Sequence, residues 1–466
     1  MGLRPSYGTP QLRRDARFTQ AEDIAMQLHD PSEMRSPRKP LPRSVWILSL
    51  VSFFADVSSE MMYPLLPLFL MSVLNSSKTQ LGALEGGAVL IVALVSAVAG
   101  FRSDRKGKRG GRVPWIRWGY GLPVAGKTLI ALAAAWPLVL CGRLLDRFGK
   151  GLRGAPRDAL IADAVSEDQR GRAFGLHRAF DTGGALLGVL LSAFLLWWLT
   201  GSPQSTNASD ALSRAAETPV WVYRAIFGVA AILGLASWLL TFVVQESPPI
   251  PVEGSQGGTT DQTVSKPDAT LAKKQQTWFN LPYSYWVVLA ALVLFSLANS
   301  SDTFLLLRAR DLGYSPWAIV LVYALYNVTY SAISYPIGVL SDKIGRWRII
   351  AIGWLIYALV YASIAWLPTS YAWGMWPLMA IYGVYMALTD GVGKALIADH
   401  APRELRGRAM GLFYALTGLT TFIASLLVGI VWDYYGSTAA LMIGAGFAIL
   451  ALLGLAIAHR FVAVSD

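Results

Sequence analysis

Charged residues are scarce in this 466-residue chain, because Lys, Arg, Asp and Glu together make up only 15% of it while hydrophobic residues make up 54%. The mean hydropathy is +0.45. Soluble globular proteins carry about 25% charged residues, so the composition excludes that class. We therefore expect an integral membrane protein, with the lipid bilayer as its first partner.

Cysteine and histidine are also rare. The single cysteine, Cys141, excludes an intrachain disulfide. The four histidines show no zinc-ligand spacing, and no glycine-rich loop ends in the Lys-Ser or Lys-Thr pair that holds nucleotide phosphates. ATP-driven transport and metal catalysis therefore have no support in the sequence. We expect no cofactor and no enzymatic activity.

Long apolar stretches are abundant. A helix needs roughly 20 such residues to cross the hydrocarbon core of a bilayer. About twelve stretches of this kind predict spans 1 to 12, six in each half of the chain, near residues 45–74, 80–101, 114–135, 137–156, 172–199, 220–244, 284–307, 315–340, 347–367, 372–396, 408–432 and 437–461.

Polar segments divide the chain further. We predict a disordered cytoplasmic tail at 1–43, a first six-helix bundle at 44–245, a cytoplasmic linker at 246–282 and a second bundle at 283–466. The net charge of +11 comes largely from loops after spans 2, 4, 8 and 10, whereas the loops on the other side contain almost no Lys or Arg. This asymmetry predicts cytoplasmic termini in a plasma (inner) membrane. It accounts for the basicity without nucleic-acid binding.

Three motifs occur twice, in the same order, about half the chain length apart. A repeat of this kind indicates a duplicated fold. The pairs are Gly100–Arg109 with Gly338–Arg346, Ala159–Asp163 with Ala395–Asp399, and Arg170–Gly175 with Arg406–Gly411.

The first pair, Gly-x-x-x-Asp-Arg/Lys-x-Gly-x-Arg, stands between spans 2 and 3 of each half and resembles the loop motif of the Major Facilitator Superfamily. The resemblance covers residues 45–461. It implies an all-α membrane protein with twelve transmembrane helices in two homologous six-helix bundles, related by a pseudo-twofold axis. It also implies a monomer whose central cavity binds a small-molecule substrate and opens alternately to either side.

Such a protein needs a gate. We expect Asp104 and Asp342 to face the amino ends of helices in the other half, close to Arg408 and Arg172 respectively, and to close the cytoplasmic side. The alternative is that these loops carry only topology-setting charge, which explains the basic residues but leaves the paired Asp and Gly unexplained. The predicted gate comprises Gly100, Asp104, Arg105, Gly107, Arg172, Gly338, Asp342, Lys343, Gly345 and Arg408.

Ionisable residues within the spans are the candidates for the transport site. Each costs roughly 2.5–3.5 kcal/mol at the membrane centre and should face a cavity or a partner. They are Asp56, Glu60, Glu85, Arg143, Asp146, Arg147, Lys150, Asp181, Asp302 and Asp390.

Asp56 is our first choice for a proton-carrying group, because a carboxyl group in an apolar environment is neutral more readily than one in water. The alternative is structural: Asp56 or Glu60 pairs with Arg143 or Arg147 and holds spans 1 and 4 together. Sodium coupling is a further alternative, with oxygen ligands from Asp56, Ser58, Ser59 and Glu60.

Span 5 carries Gly175, Gly184 and Gly188, which resemble the glycine-rich helix motif of proton-linked drug exporters, although Val189 stands where that motif has proline. Small residues at these positions would also serve close helix packing. We therefore predict a secondary transporter that exports amphipathic compounds with proton coupling. The alternatives are an organic-anion transporter that uses Arg143, Arg147 and Lys150, and a membrane sensor or scaffold that transports nothing.

Overall fold

A computed structural model describes Gly2 and residues 40–106, 111–166, 169–200, 218–245, 281–402 and 405–465. In this part of the chain the secondary structure is helical, without strands, and residues Arg43–Asp466 form one compact unit. The helices of residues 43–245, which we call the first half, are α1 (Arg43–Met62), α2 (Leu66–Ser72), α3 (Lys78–Lys106), α4 (Val113–Ala131), α5 (Trp136–Asp163), α6 (Arg170–Thr200) and α7 (Val220–Leu240).

The second half, residues 281–465, repeats this order of long helices. Its first element is again divided into two shorter helices, and its last two predicted spans form one long kinked helix. The helices are α8 (Tyr283–Ser296), α9 (Thr303–Asp311), α10 (Pro316–Ile344), α11 (Arg346–Ala365), α12 (Met375–Asp399) and α13 (Arg406–Ser465).

Seven helical segments of the described chain are long and apolar enough to cross a membrane, and Tyr283–Ser296 is a shorter apolar helix. Helix α5 is missing from this set because it is rich in charged residues. The segments are Arg43–Ser72, Lys78–Ser96, Arg172–Thr200, Val220–Val243, Pro316–Ser341, Arg346–Ala365 and Ala409–Phe461. They confirm an all-helical membrane protein, while the count of twelve spans stays a prediction.

Two predicted spans are interrupted at equivalent places. Span 1 breaks between α1 and α2, where Pro64 lies, and Pro67 follows in the first turn of α2; a proline has no N–H to donate to a helix. Span 7 breaks over residues 297–302, where Asn, Ser and Asp side chains compete with the helical backbone for hydrogen bonds. The predicted spans at 45–74 and 284–307 are therefore each divided into two helices rather than continuous.

Spans 11 and 12, predicted as separate helices, are contained in α13, which changes direction at Gly436. The φ angle of this residue is +85°, a conformation that favours glycine. The break therefore falls in the predicted interval between residues 432 and 437. A single residue, rather than a loop, makes the turn.

The two halves pack together along two helix pairs, α3 with α13 and α6 with α10. Glycines make the first pair close: a Cβ at Gly82 would overlap the carbonyl group of Ser425, and one at Gly86 would lie 2.8 Å from the Cα of Phe422. Small residues allow this backbone-to-backbone approach between membrane helices.

The duplicated motifs end in equivalent ion pairs. Arg112 pairs with Asp163, the last residue of the first Ala-Leu-Ile-Ala-Asp repeat, and Arg346 pairs with Asp399, the last residue of the second. We call the end of the bundle that carries these two pairs the basic end, and the other end the opposite end. The equivalence of the pairs agrees with the duplication inferred from the sequence.

Candidate functional site

A cavity of about 700 Å³ lies between the two halves, and its walls differ in charge. The first half contributes both acids and bases, whereas the second half contributes neutral side chains such as Asn327 and Tyr330. The charged lining residues are Asp56, Glu60, Lys150, Arg153, Arg157, Arg178 and Asp181. Any electrostatic recognition in this cavity therefore comes from the first half.

A second cavity of about 420 Å³ shares Arg178 and Tyr330 with the first. It extends along α10 and α12 past Asp390 and Gly338 to Arg346, which lies at the basic end. The two cavities together connect the middle of the protein with the basic end.

The opposite end is held by Asp433 of α13. Its carboxylate accepts hydrogen bonds from the backbone N–H groups of Lys78 and Thr79 at 3.0 and 2.8 Å, and from the Thr79 hydroxyl at 2.7 Å. Lys78 and Thr79 begin α3, so a carboxylate of the second half caps a helix of the first half. Caps of this kind satisfy N–H groups that have no partner within the helix.

The three acids of the cavity have different partners. Glu60 accepts a hydrogen bond from the Tyr323 hydroxyl at 3.0 Å, and Asp181 lies 3.4 Å from Nδ1 of His177, which is buried. Asp56 forms no ion pair within the described part of the chain, although it lines the same cavity as Lys150. Asp56 is therefore the cavity acid whose charge is least fixed by a single partner.

Buried ion pairs lie behind this wall. Arg143 donates to Glu85 at 2.8 Å, with both side chains at most 5% exposed. Asp146 lies 3.7 Å from Nε of Arg147 and 4.0 Å from Nζ of Lys127. The alternative in which Arg143 or Arg147 pairs with Asp56 or Glu60 is therefore wrong, because each base is already next to another acid.

In the second half, tyrosine hydroxyls meet the carboxylates. Asp302 accepts from Tyr382 at 2.7 Å and from Tyr326 at 3.2 Å. Asp390 accepts from Tyr330 at 3.0 Å and pairs with Lys394 at 2.7 Å. Three tyrosines of α10 donate to carboxylates, namely Tyr323, Tyr326 and Tyr330, and of these only Tyr330 also lines the cavity.

Part of the predicted gate is visible at the basic end. Gly345 has a φ angle of +94° and permits the tight turn between α10 and α11. Gly338 has no atom within 4 Å of the place where a Cβ would stand, so it does not pack closely against another helix in this conformation. The physical reason is that Gly338 lines the second cavity, where the halves are apart.

The other gate residues are only partly described. Arg172 and Lys343 are exposed, in the first turn of α6 and near the end of α10 respectively. Gly107 lies outside the described residues. So do the side chains of Asp104, Arg105, Asp342 and Arg408 and the surroundings of Gly100.

The glycines of α6 serve packing. A Cβ at Gly184 would overlap the carbonyl group of Phe53, and one at Gly188 that of Val57, both in α1. Gly175 has no such neighbour. Close contact between α1 and α6 is therefore sufficient to explain two of the three glycines.

Several polar residues of the site were missed in the sequence. Arg153 and Arg157 were interpreted as loop charges because span 4 was predicted to end near 156, whereas α5 continues to Asp163. Lys127 lies within a predicted span, so the rule that selected the other buried charges would also have found it.

An all-helical bundle of two similar halves around a polar cavity defines a membrane transport protein. The sequence model of the Major Facilitator Superfamily matches residues 48–414. The chain belongs to this superfamily, and it is a transporter rather than an enzyme.

Three similar proteins illustrate the family. An uncharacterised MFS-type transporter of Methanocaldococcus jannaschii is 31% identical, with 87% of this chain and 94% of that protein covered. Multidrug resistance protein MdtH of Citrobacter koseri is 24% identical over 70% of this chain and 73% of its own length. The crystal structure of the POT family transporter PepTSo superimposes with a TM-score of 0.67 and 15% identity, with 92% of this chain and 100% of that chain covered.

Proposed function

We propose that this protein exports amphipathic small molecules by alternating access and couples export to proton movement through Asp56. The observation that carries the proposal is the position of Asp56: it lies in the central cavity, on the same face of α1 as Glu60, without an ion pair in the described chain. A carboxyl group of this kind can change its protonation state as the cavity opens to one side and then to the other.

The arrangement of the two ends supports a conformation open towards the basic end. Cavities lead from the centre to Arg346, whereas Asp433 joins the halves at the opposite end. If the basic end is cytoplasmic, as loop charge predicts, this conformation receives substrate from the cytoplasm. The similarity to MdtH, a multidrug resistance protein, supports export as the direction.

The distribution of partners supports protons rather than sodium as the coupling ion. A sodium site built on α1 would need Ser58 and Ser59, but the ammonium group of Lys127 already donates to both hydroxyls, at 2.7 and 3.0 Å. The carboxyl groups of Asp56 and Glu60 remain on the cavity side.

The experiment uses proteoliposomes that contain a trapped pH dye, to which pooled lipophilic cations or pooled organic anions are added. We expect cation-triggered proton movement by the wild type and its loss in Asp56→Asn. Asp311→Asn, an acid at the end of α9 that does not line the cavity, is the matched control and should keep the signal. Transport of labelled cations without proton movement in the wild type would refute the coupling.

Organic-anion transport is the second candidate, with a changed set of residues. Arg143 and Arg147 lie next to acids behind the cavity wall, but Lys150 and Arg178 are exposed within the cavity. Four bases and three acids line it in total. We expect Lys150→Gln to abolish the anion-triggered signal if anions are the substrates, and to leave a cation-triggered signal intact if they are not.

A further inference from the structure

Lys127 lies about one turn before the end of α4 and is only 3% exposed. Its ammonium group donates to the hydroxyl oxygens of Ser58 at 2.7 Å and Ser59 at 3.0 Å, and lies 4.0 Å from Oδ1 of Asp146. Helices α1, α4 and α5 thus meet at one positive charge. A buried ammonium is costly unless oxygen acceptors surround it, so this small site requires an explanation.

The directions of the hydrogen bonds around Lys127 show that the surrounding oxygens act as acceptors. The Ser58 hydroxyl donates its proton to the carbonyl oxygen of Ala230 in α7, at 2.5 Å. Its lone pairs are therefore left to face Lys127, which has only donors to offer. With the carboxylate of Asp146 nearby, the group of oxygens is oriented to receive a cation. Hard cations prefer such hydroxyl and carboxylate oxygens.

We propose that the ammonium group of Lys127 is a built-in monovalent cation, which fills an oxygen-lined site where an alkali cation would otherwise bind. Ser58 and Ser59 lie between Asp56 and Glu60 on α1, so the site braces the segment that carries two acids of the cavity. The protein consequently requires no sodium ion at this place. Without the lysine side chain, the same oxygens form a sodium site.

Two substitutions distinguish the effect of removing the positive charge from the effect of leaving an empty space. Lys127→Ala removes the ammonium and leaves room, whereas Lys127→Met removes the charge and fills the room with an uncharged chain of similar length. Thermal unfolding of the purified proteins is measured in sodium chloride and in choline chloride at equal ionic strength, and binding of radioactive sodium is measured in parallel.

We expect both variants to unfold at a lower temperature than the wild type in choline. Sodium should raise the unfolding temperature of Lys127→Ala by several degrees and bind to it at about one ion per protein, but should change neither the wild type nor Lys127→Met. Lys150→Ala, which removes a lysine exposed in the cavity, is the control for general effects of charge loss and should show no sodium response.

The proposal is refuted if sodium neither binds nor stabilises Lys127→Ala, or if it acts equally on the wild type and Lys127→Met. If Lys127→Ala cannot be purified in either salt, Lys127→Ser, which adds a further oxygen to the same space, is measured by the same criteria. These readouts involve no transport, so their failure is distinct from a failure of the proton-coupling proposal.

Discussion

Asp433 is the residue whose removal should open the opposite end of the protein. Its carboxylate accepts three hydrogen bonds from the first turn of α3, two of them from backbone N–H groups. Loss of an N-cap side chain costs about 0.5–2 kcal/mol. A mid-range loss of about 1.4 kcal/mol changes an equilibrium tenfold, so a state populated at about 1% would rise to about 9%.

The open population can be counted with spin labels. Ala135 precedes α5 and Ser370 follows α11, so both lie at the opposite end, one in each half, and both are exposed. Labels at these two positions, with Cys141 replaced by alanine, report the separation of the halves by pulsed electron paramagnetic resonance. We expect Asp433→Ala to enlarge the long-distance population about tenfold, and Thr79→Val to enlarge it less because only the hydroxyl is lost.

The control is Asp158→Asn, which removes an exposed acid near the basic end whose partner is the neighbouring Arg157. This variant should leave the distance distribution unchanged. Identical distributions for the wild type and a folded Asp433→Ala protein would show that the cap does not hold the halves together. The physical reasoning about this end would then be refuted.

Three further substitutions test the packing. Glu85→Gln should destabilise the protein by about 3–5 kcal/mol, because it leaves Arg143 as a buried charge without its acid; a double variant that also carries Arg143→Met should regain part of the lost unfolding temperature. Gly188→Val should prevent proper folding, judged by gel filtration in detergent, whereas Gly175→Val should behave as the wild type because its Cβ meets nothing. Gly345→Ala should lower the unfolding temperature through a strain of about 1–3 kcal/mol, and an unchanged temperature would contradict the strained backbone at φ +94°.

The helical class and the duplication were predictable because both depend on local patterns. The length of an apolar stretch indicates a transmembrane span. The repeats that end in Asp163 and Asp399 can be recognised in the sequence without knowledge of the ion pairs that these residues form. The break in span 1 also had a local signal, since Pro64 and Pro67 stand inside it. It was missed because mean hydropathy does not register a missing N–H donor.

Partner choice was not predictable in the same way. The sequence placed Glu85, Asp56 and Arg143 within spans, but which acid meets the arginine depends on how three helices rotate against one another. Burial favours the pair with the best contact in three dimensions, and in the folded chain that acid is Glu85. One-dimensional spacing identifies candidates for a charged site, whereas pairing follows from packing.

The tyrosines on α10 have a consequence for the proton coupling that we propose. Tyr323, Tyr326 and Tyr330 contact Glu60, Asp302 and Asp390 through a phenol, which both donates and accepts a hydrogen bond. A lysine in the same place would lose its attraction once the acid became neutral. When the carboxylate becomes protonated, its O–H can donate a hydrogen bond to the phenol oxygen. The contact is therefore kept in both protonation states of the acid. Helix α10 can therefore keep its contacts with Asp302 and Asp390 of its own half, and with Glu60 of the first half, whether or not these acids carry a charge.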